Sequence, residues 1–464
     1  MRAWTAVVAV VGLLFSAAPA TQNVDTFKVP AFGQVTVYRP ASTPSQVVLF
    51  ISGDGGWNLG VVSMADRLRD LGALVVGIDI RTFMKSLEAA KGCAYPAGAL
   101  EELSRAIQLR YKLAAYERPI LVGYSSGATL VYAALAAAPP ESFAGAISLG
   151  FCPDLEIATP LCPMRGVKAS RRSHGPGYDL APFQGLRVPW MVLQGEVDQV
   201  CAPSTTRAFV AETGSARVFS LPNVGHGFAV PRNWEPQFLE AYRAIVSARP
   251  AHDAPRVSVP EVQDLPLVEV PATTATDRHD MAIIVTGDGG WAELDKRVAA
   301  GLADAGVPTV GLSSLRYFWT PRTLEAAAAD LARIITHYGA AWRTERVILV
   351  GYSFGADVLP FLVNRLEPAA RAKVARVALL GLGTTATFEF HVAEWVGQSR
   401  GPEYPTVPEI ERLTVPVTCV QGAGEQDSAC GEIRNPRAGV VTVGAGHHFS
   451  GEYARLVDAI LQRR

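Results

Sequence analysis

Short apolar runs alternate along the chain with longer alanine-rich stretches of helical character, such as 321–338. The runs at 119–122, 145–151 and 188–193 predict strands in the first half, and those at 309–312, 346–350 and 415–420 predict strands in the second. Strands that alternate with helices in this way pair in parallel, with helices covering both faces of the sheet. The rhythm is interrupted once, between 249 and 280, where Pro250, Pro255, Pro260, Pro266 and Pro271 mark a linker. The expected organisation is a leader over 1–20, a first domain over 21–249, a linker over 250–264 and a second domain over 265–464. The second domain is expected to open with an edge strand at 265–272.

In each half one predicted strand runs into a tight turn and then a helix: GYSSGA at 123–128 and GYSFGA at 351–356. This is the Gly-x-Ser-x-Gly nucleophile elbow, whose glycines let the chain turn sharply enough to lift the serine out of the sheet. Other landmarks repeat around it. GDGGW stands at 53–57 and 287–291, so 72 residues separate Gly53 from Ser125 and 66 separate Gly287 from Ser353. Acids follow the serines by 73 and 74 residues at Asp198 and Asp427, and histidines follow the acids by 28 and 20 residues at His226 and His447. Shared order at similar spacing predicts an α/β fold made by tandem duplication of an α/β-hydrolase domain, each with a mostly parallel sheet and helices on both faces.

A length of 464 residues suits two domains better than one core, and a formal charge of −1 gives no reason to expect a nucleic-acid partner. Met1-Arg2, the apolar run 3–15 and the small residues before Thr21 have the three regions of a secretory signal peptide. Export would place the six cysteines in an oxidising compartment, where pairs persist. Cys419 and Cys430 are the only two in the second half, so if they pair, they pair with each other. Cys201 and Cys430 each follow an acid by three residues, which suggests a structural role at the acid loop. No Cys-x-x-Cys spacing or matching histidine pair suggests a metal, and no cofactor is needed for the chemistry below.

A serine hydroxyl needs a histidine to take its proton and an acid to orient that histidine. Ser353, Asp427 and His447 are the expected triad of the second domain, and Ser125, Asp198 and His226 that of the first. His448 and Glu425 are rivals. His447 is preferred because GHHF aligns with GHGF of the first copy, and Asp427 because Asp-x-x-Cys recurs at 198–201 and 427–430. Gly289, Gly290, Trp291 and the amide of Phe354 are the expected oxyanion hole. Asp54 and Asp288 are expected to fix their turns. Arg316, Tyr317, Phe318 and Trp319 follow a predicted strand near the site, where rings beside arginine suit a lipid surface, with core packing an equal alternative. The insertions 152–187 and 384–413 sit where lids commonly form, and Glu389 and Glu394 within the second could pair with a cationic substrate group.

GDGGW, RYFW with TPRTLEAAAADL, GYSFGADVLPFLVNRL, FEFHVAEW and GHHF together resemble the AcvB/VirJ family of bacterial virulence proteins. The resemblance covers nearly the whole mature chain and is closest over 265–464. It implies a periplasmic serine hydrolase that removes the aminoacyl group of lysyl-phosphatidylglycerol, with Ser353 as nucleophile and a membrane phospholipid as substrate. It also implies a link to virulence and a contact with type IV secretion. Two other readings fit the residues: a periplasmic binding or chaperone module on a hydrolase platform, and a carboxylesterase acting on soluble esters.

Overall fold

The computed structural model describes residues 23–89, 92–139, 142–162, 166–248, 262–274, 279–388 and 402–462. The leader, residues 250–261 of the linker, Glu389 and Glu394 lie outside the described residues. Among the described residues no helix is long and apolar enough to cross a membrane.

Two large sheets carry the chain. In the first, the strands lie in the spatial order Val24–Val29, Gly33–Tyr38, Ala73–Ile78, Gln46–Ile51, Ile120–Tyr124, Gly145–Leu149, Trp190–Gly195, Ala216–Leu221. In the second the order is Leu267–Val270, Thr309–Leu312, Asp280–Val285, Arg346–Tyr352, Val374–Leu380, Val417–Ala423, Ala438–Ala445. The strand Leu267–Val270 is the antiparallel edge expected at the start of the second domain, and from Asp280–Val285 onward every pairing is parallel. The first sheet has the same parallel body with an antiparallel hairpin, Val24–Val29 and Gly33–Tyr38, at its edge. Register repeats as well as order: Ile51 pairs with Gly123 in one sheet and Val285 with Gly351 in the other.

Helices cover both faces, because strands buried on both sides are apolar at every position rather than at alternate ones. Leu100 and Ile107 from the helix Pro96–Arg110 join Leu130 from Ser126–Ala137 on one face of the first sheet. Met64 and Leu68 from Leu59–Asp70 meet Phe238 and Ile245 from Glu235–Ser247 on the other. In the second domain, Leu331 and Ile335 with Leu359 and Leu362 fill one face, and Val298 and Leu302 with Leu456 and Ile460 fill the other.

The elbows are closed by backbone contact. A Cβ on Gly127 would stand 2.4 Å from Ser52 O, and one on Gly355 would stand 2.0 Å from Val285 O. With the helix pressed that closely onto the neighbouring strand, the intervening serine is forced into a left-handed backbone, φ 55° at Ser125 and 50° at Ser353. Such a conformation costs a non-glycine residue on the order of 1–3 kcal/mol, which the surrounding sheet must supply.

The domains touch through side chains of the RYFW and GDGGW motifs. Trp319 donates from Nε1 to Leu113 O at 2.9 Å and packs against Tyr116. Arg105, on the first domain's helix Pro96–Arg110, ion-pairs with Asp288 at 3.1 Å.

Gly355→Ala is therefore expected to lower the melting temperature by about 2–12 °C, the equivalent of about 1–3 kcal/mol of overpacking. Gly439→Ala, where a Cβ meets nothing within 4 Å, is the control. Equal melting temperatures for the two variants would contradict the packing account.

Candidate active sites

In the first domain the three residues of the expected triad form one continuous chain of hydrogen bonds. Ser125 Oγ lies 2.8 Å from His226 Nε2, and His226 Nδ1 lies 2.9 Å from Asp198 Oδ2. With its proton on Nδ1 the imidazole donates to the carboxylate and presents a lone pair to the serine, which is the arrangement a general base requires. The Asp198 carboxylate is wholly buried, and its other oxygen accepts from the backbone N–H groups of Val200 and Cys201 at 2.8 and 2.9 Å. A disulfide from Cys201 to Cys152 fastens that loop to the segment after the strand Gly145–Leu149. The histidine loop is held by Tyr124, whose hydroxyl donates to His226 O at 2.9 Å. Asp198, Cys201 and His226 also have the closeness of a metal-ligand cluster, but the sulfur is in a disulfide and the other two groups bond to each other.

The oxyanion side is built from the elbow helix and the first GDGGW turn. Ser126 opens the helix Ser126–Ala137, so its N–H belongs to the first turn, which has no intrahelical acceptor. Gly53 runs beside the nucleophile, since a Cβ there would lie 3.0 Å from Ser125 Cβ. Asp54 accepts from Ser126 Oγ at 2.6 Å and ties this turn to the helix.

The second domain repeats the frame with a different acid. His447 Nδ1 is 2.5 Å from Glu425 Oε1, and Glu425 Oε2 accepts from Gly422 N–H at 2.9 Å. Asp427, expected as the triad acid, is instead exposed and makes no hydrogen bond to His447. The reason lies at the strand end. Gly195 and Gly422 are the positions where the acid-bearing strand meets the histidine loop, with a Cβ falling 2.1 Å from Val224 O and 2.0 Å from Gly446 O. Asp198 and Glu425 each stand three residues beyond that glycine. His447 rather than His448 is the histidine bonded to Glu425, and His448 Nδ1 pairs instead with the Tyr352 hydroxyl at 2.9 Å. Ser353 Oγ has no hydrogen-bond partner among the described residues, so this triad is assembled on its His–Glu side. His447 is also more open than its counterpart, 42% exposed against 17% for His226.

The expected oxyanion residues divide. Phe354 opens its helix as Ser126 does, so its N–H likewise belongs to the first turn. The amide of Gly290 is spent on Gly287 O at 3.0 Å, a Cβ on Gly289 would touch nothing within 4 Å, and the Trp291 ring lies over Gly311. Gly287 is the glycine beside the nucleophile, with a Cβ 3.5 Å from Ser353 Cβ.

The RYFW segment does not form a substrate surface as a unit. Tyr317 is buried and hydrogen-bonded to Asp330 at 2.5 Å, Phe318 is in the core, and Trp319 faces the first domain. Only Phe318 approaches the elbow, packing edge-on against Phe354 at 5.1 Å. Arg316 is exposed on the short helix Ser314–Tyr317. A surface groove of about 1360 Å³ runs between the helices Leu324–Ala341 and Phe354–Arg365, but Asn364 and Arg365, which line it, are roughly 16 Å along the helix from Ser353.

Sequence reasoning missed Asp357. It lies one helical turn beyond Ser353, its Oδ1 accepts from Gly383 N–H at 2.7 Å, and desolvation raises its pKa to about 7.

With Ser125→Ala removing the first site, Glu425→Gln is expected to lower kcat/KM for ester hydrolysis by about 100- to 10,000-fold, and Asp427→Asn to change it less than about twofold. The reverse ranking would overturn the His447–Glu425 pairing.

The model of a family described as bacterial virulence protein (VirJ) matches residues 45–146 and 279–464. No curated protein matches the chain. Among solved structures the chain is similar to the esterase domain of a Rhodothermus marinus protein, at 16% identity over 48% of this chain and 97% of that one, TM-score 0.34. It is also similar to Est1E from Butyrivibrio proteoclasticus, at 10% identity over 48% and 98%, TM-score 0.32. An alpha-beta serine hydrolase homologue from Coxiella burnetii matches at 18% identity over 50% and 100%, TM-score 0.31. The family match takes in more than half of the chain, including Ser125, Ser353, Glu425 and His447, and the protein belongs to the VirJ family of bacterial virulence proteins.

Proposed function

We propose that the second domain hydrolyses the aminoacyl ester of lysyl-phosphatidylglycerol at a periplasmic membrane surface, releasing phosphatidylglycerol and lysine. The observation that carries this reading is the elbow serine Ser353 in one cleft with the His447–Glu425 pair, inside the segment 279–464 matched by the family. Three disulfides, Cys93–Cys162, Cys152–Cys201 and Cys419–Cys430, support an oxidising compartment.

The chemistry is that of acyl transfer. Ser353 Oγ attacks the lysyl carbonyl as His447 Nε2 takes its proton, and Glu425 stabilises the imidazolium through Nδ1–H. The developing oxyanion is met by the N–H of Phe354 and by a backbone donor of the Gly287–Asp288 stretch. Collapse expels the glycerol oxygen, which takes the proton back from His447 and leaves as phosphatidylglycerol. Water, deprotonated by the same histidine, then frees lysine from the serine. The net result converts a cationic lipid into an anionic one.

A second reading concerns the first domain. Its closed Ser125–His226–Asp198 hydrogen bonds support a carboxylic-ester hydrolase in its own right.

Separate Ser125→Ala and Ser353→Ala strains test the assignment by lipid profiling. Lysyl-phosphatidylglycerol is expected to accumulate in the Ser353→Ala strain to the same level as in a strain lacking the protein. Unchanged lipid in that strain, with accumulation in Ser125→Ala, would transfer the activity to the first domain.

A further inference from the structure

The two sites differ at one position close to the nucleophile. Four residues beyond each serine, on the first turn of the elbow helix, the first domain has Thr129 and the second has Asp357. Thr129 is satisfied within the protein: its hydroxyl donates to Cys152 O at 2.7 Å. Asp357 is a carboxylate with a backbone N–H on one oxygen and, among the described residues, no lysine, arginine or histidine ion-paired to it.

Its position is fixed from two sides. The Asp357 amide donates to Ser353 O at 3.1 Å, which sets Asp357 in the first turn of the helix that Ser353 caps. Gly383 binds Oδ1 at 2.7 Å, and Gly381, two residues earlier in the same segment, abuts the His447 ring, where a Cβ would fall 2.8 Å away. The segment after the strand Val374–Leu380 thus has the base at one end and Asp357 at the other, which places this acid on the wall of the Ser353 cleft.

We infer that Asp357 receives the α-ammonium group of an aminoacyl ester bound at Ser353, so that this site selects aminoacyl esters over acyl esters that lack the α-amino group. The inference rests on the reading of Ser353 as the nucleophile for such esters. The α-nitrogen is attached to the carbon next to the reacting carbonyl, so it cannot stray far from the serine, and a carboxylate one helical turn away is within its range. The lysyl side-chain ammonium lies several bonds further out and has no such constraint. Desolvation explains why a cationic ligand is favoured: the half-buried carboxyl holds its proton up to about 7, and an ammonium supplies the missing charge. Glu425 already holds His447, so Asp357 is not needed as the triad acid. A first-turn acid also favours the helix dipole, but that role is indifferent to what the substrate carries.

The test uses the full chain with Ser125→Ala and compares a lysyl ester with the 6-aminohexanoyl ester of the same alcohol, which keeps the distal ammonium and lacks only the α-amino group. Asp357→Asn and Asp357→Thr, the latter being the first domain's own residue, are expected to lower kcat/KM for the lysyl ester by about 10- to 100-fold while changing the 6-aminohexanoyl ester less than about threefold. The second ester reports whether the variant is folded and catalytically intact. Equal loss on both esters, or no loss on either, would overturn the role of Asp357. A different result marks failure of the underlying reading: lysyl-ester cleavage that survives Ser353→Ala in the same background.

Discussion

At both elbows a helix is packed onto a strand with nothing but backbone between them, and this contact fixes where each nucleophile stands. Gly127 against Ser52 O and Gly355 against Val285 O leave no room for a Cβ, so the chain can pass from strand to helix only through a serine at positive φ. The strained serine then stands, partly buried, at the carboxyl end of its strand, where the later strands deliver the acid and the histidine. The next amide, of Ser126 or Phe354, is set at the helix start, in the first turn, where it has no intrahelical acceptor. Sheet order, register and loop lengths all act through that one contact.

Within this shared frame the two sites have separated chemically. The first keeps its cleft self-sufficient: Asp54 is bonded to Ser126, Thr129 to Cys152 O, and Ser125 to His226. In the second, phenylalanine replaces Ser126, and the turn aspartate Asp288 is paired by Arg105 from the first domain. One domain therefore braces the other's oxyanion turn. Asp357 and the more open His447 leave charge and access at the second site that the first does not have.

The architecture and the nucleophiles were legible from sequence, because the elbow, the glycine turn and the alternation of strands and helices are imposed locally. The first triad was legible for the same reason. The second acid was not, because Asp-x-x-Cys follows the disulfide geometry rather than the carboxylate that reaches the histidine. The useful signal was Gln-Gly three residues earlier, shared by Gln194-Gly195 and Gln421-Gly422, which marks the strand end and leads to Glu425. Side-chain direction was equally hidden. Nothing in RYFW says that Tyr317 turns to Asp330 and Trp319 to the other domain, because those partners are distant in sequence or belong to the other half. Gly290 does not fit as an oxyanion donor because the tight turn consumes its amide.

The central claim is that one chain holds two serine-hydrolase sites on duplicated elbows. A fluorophosphonate that phosphorylates activated serines, followed by peptide mapping of the folded protein, tests it most directly. Labelling at both Ser125 and Ser353, abolished at each site by replacing its own histidine, His226 or His447, is the result predicted. Labelling at neither serine in folded protein would contradict it.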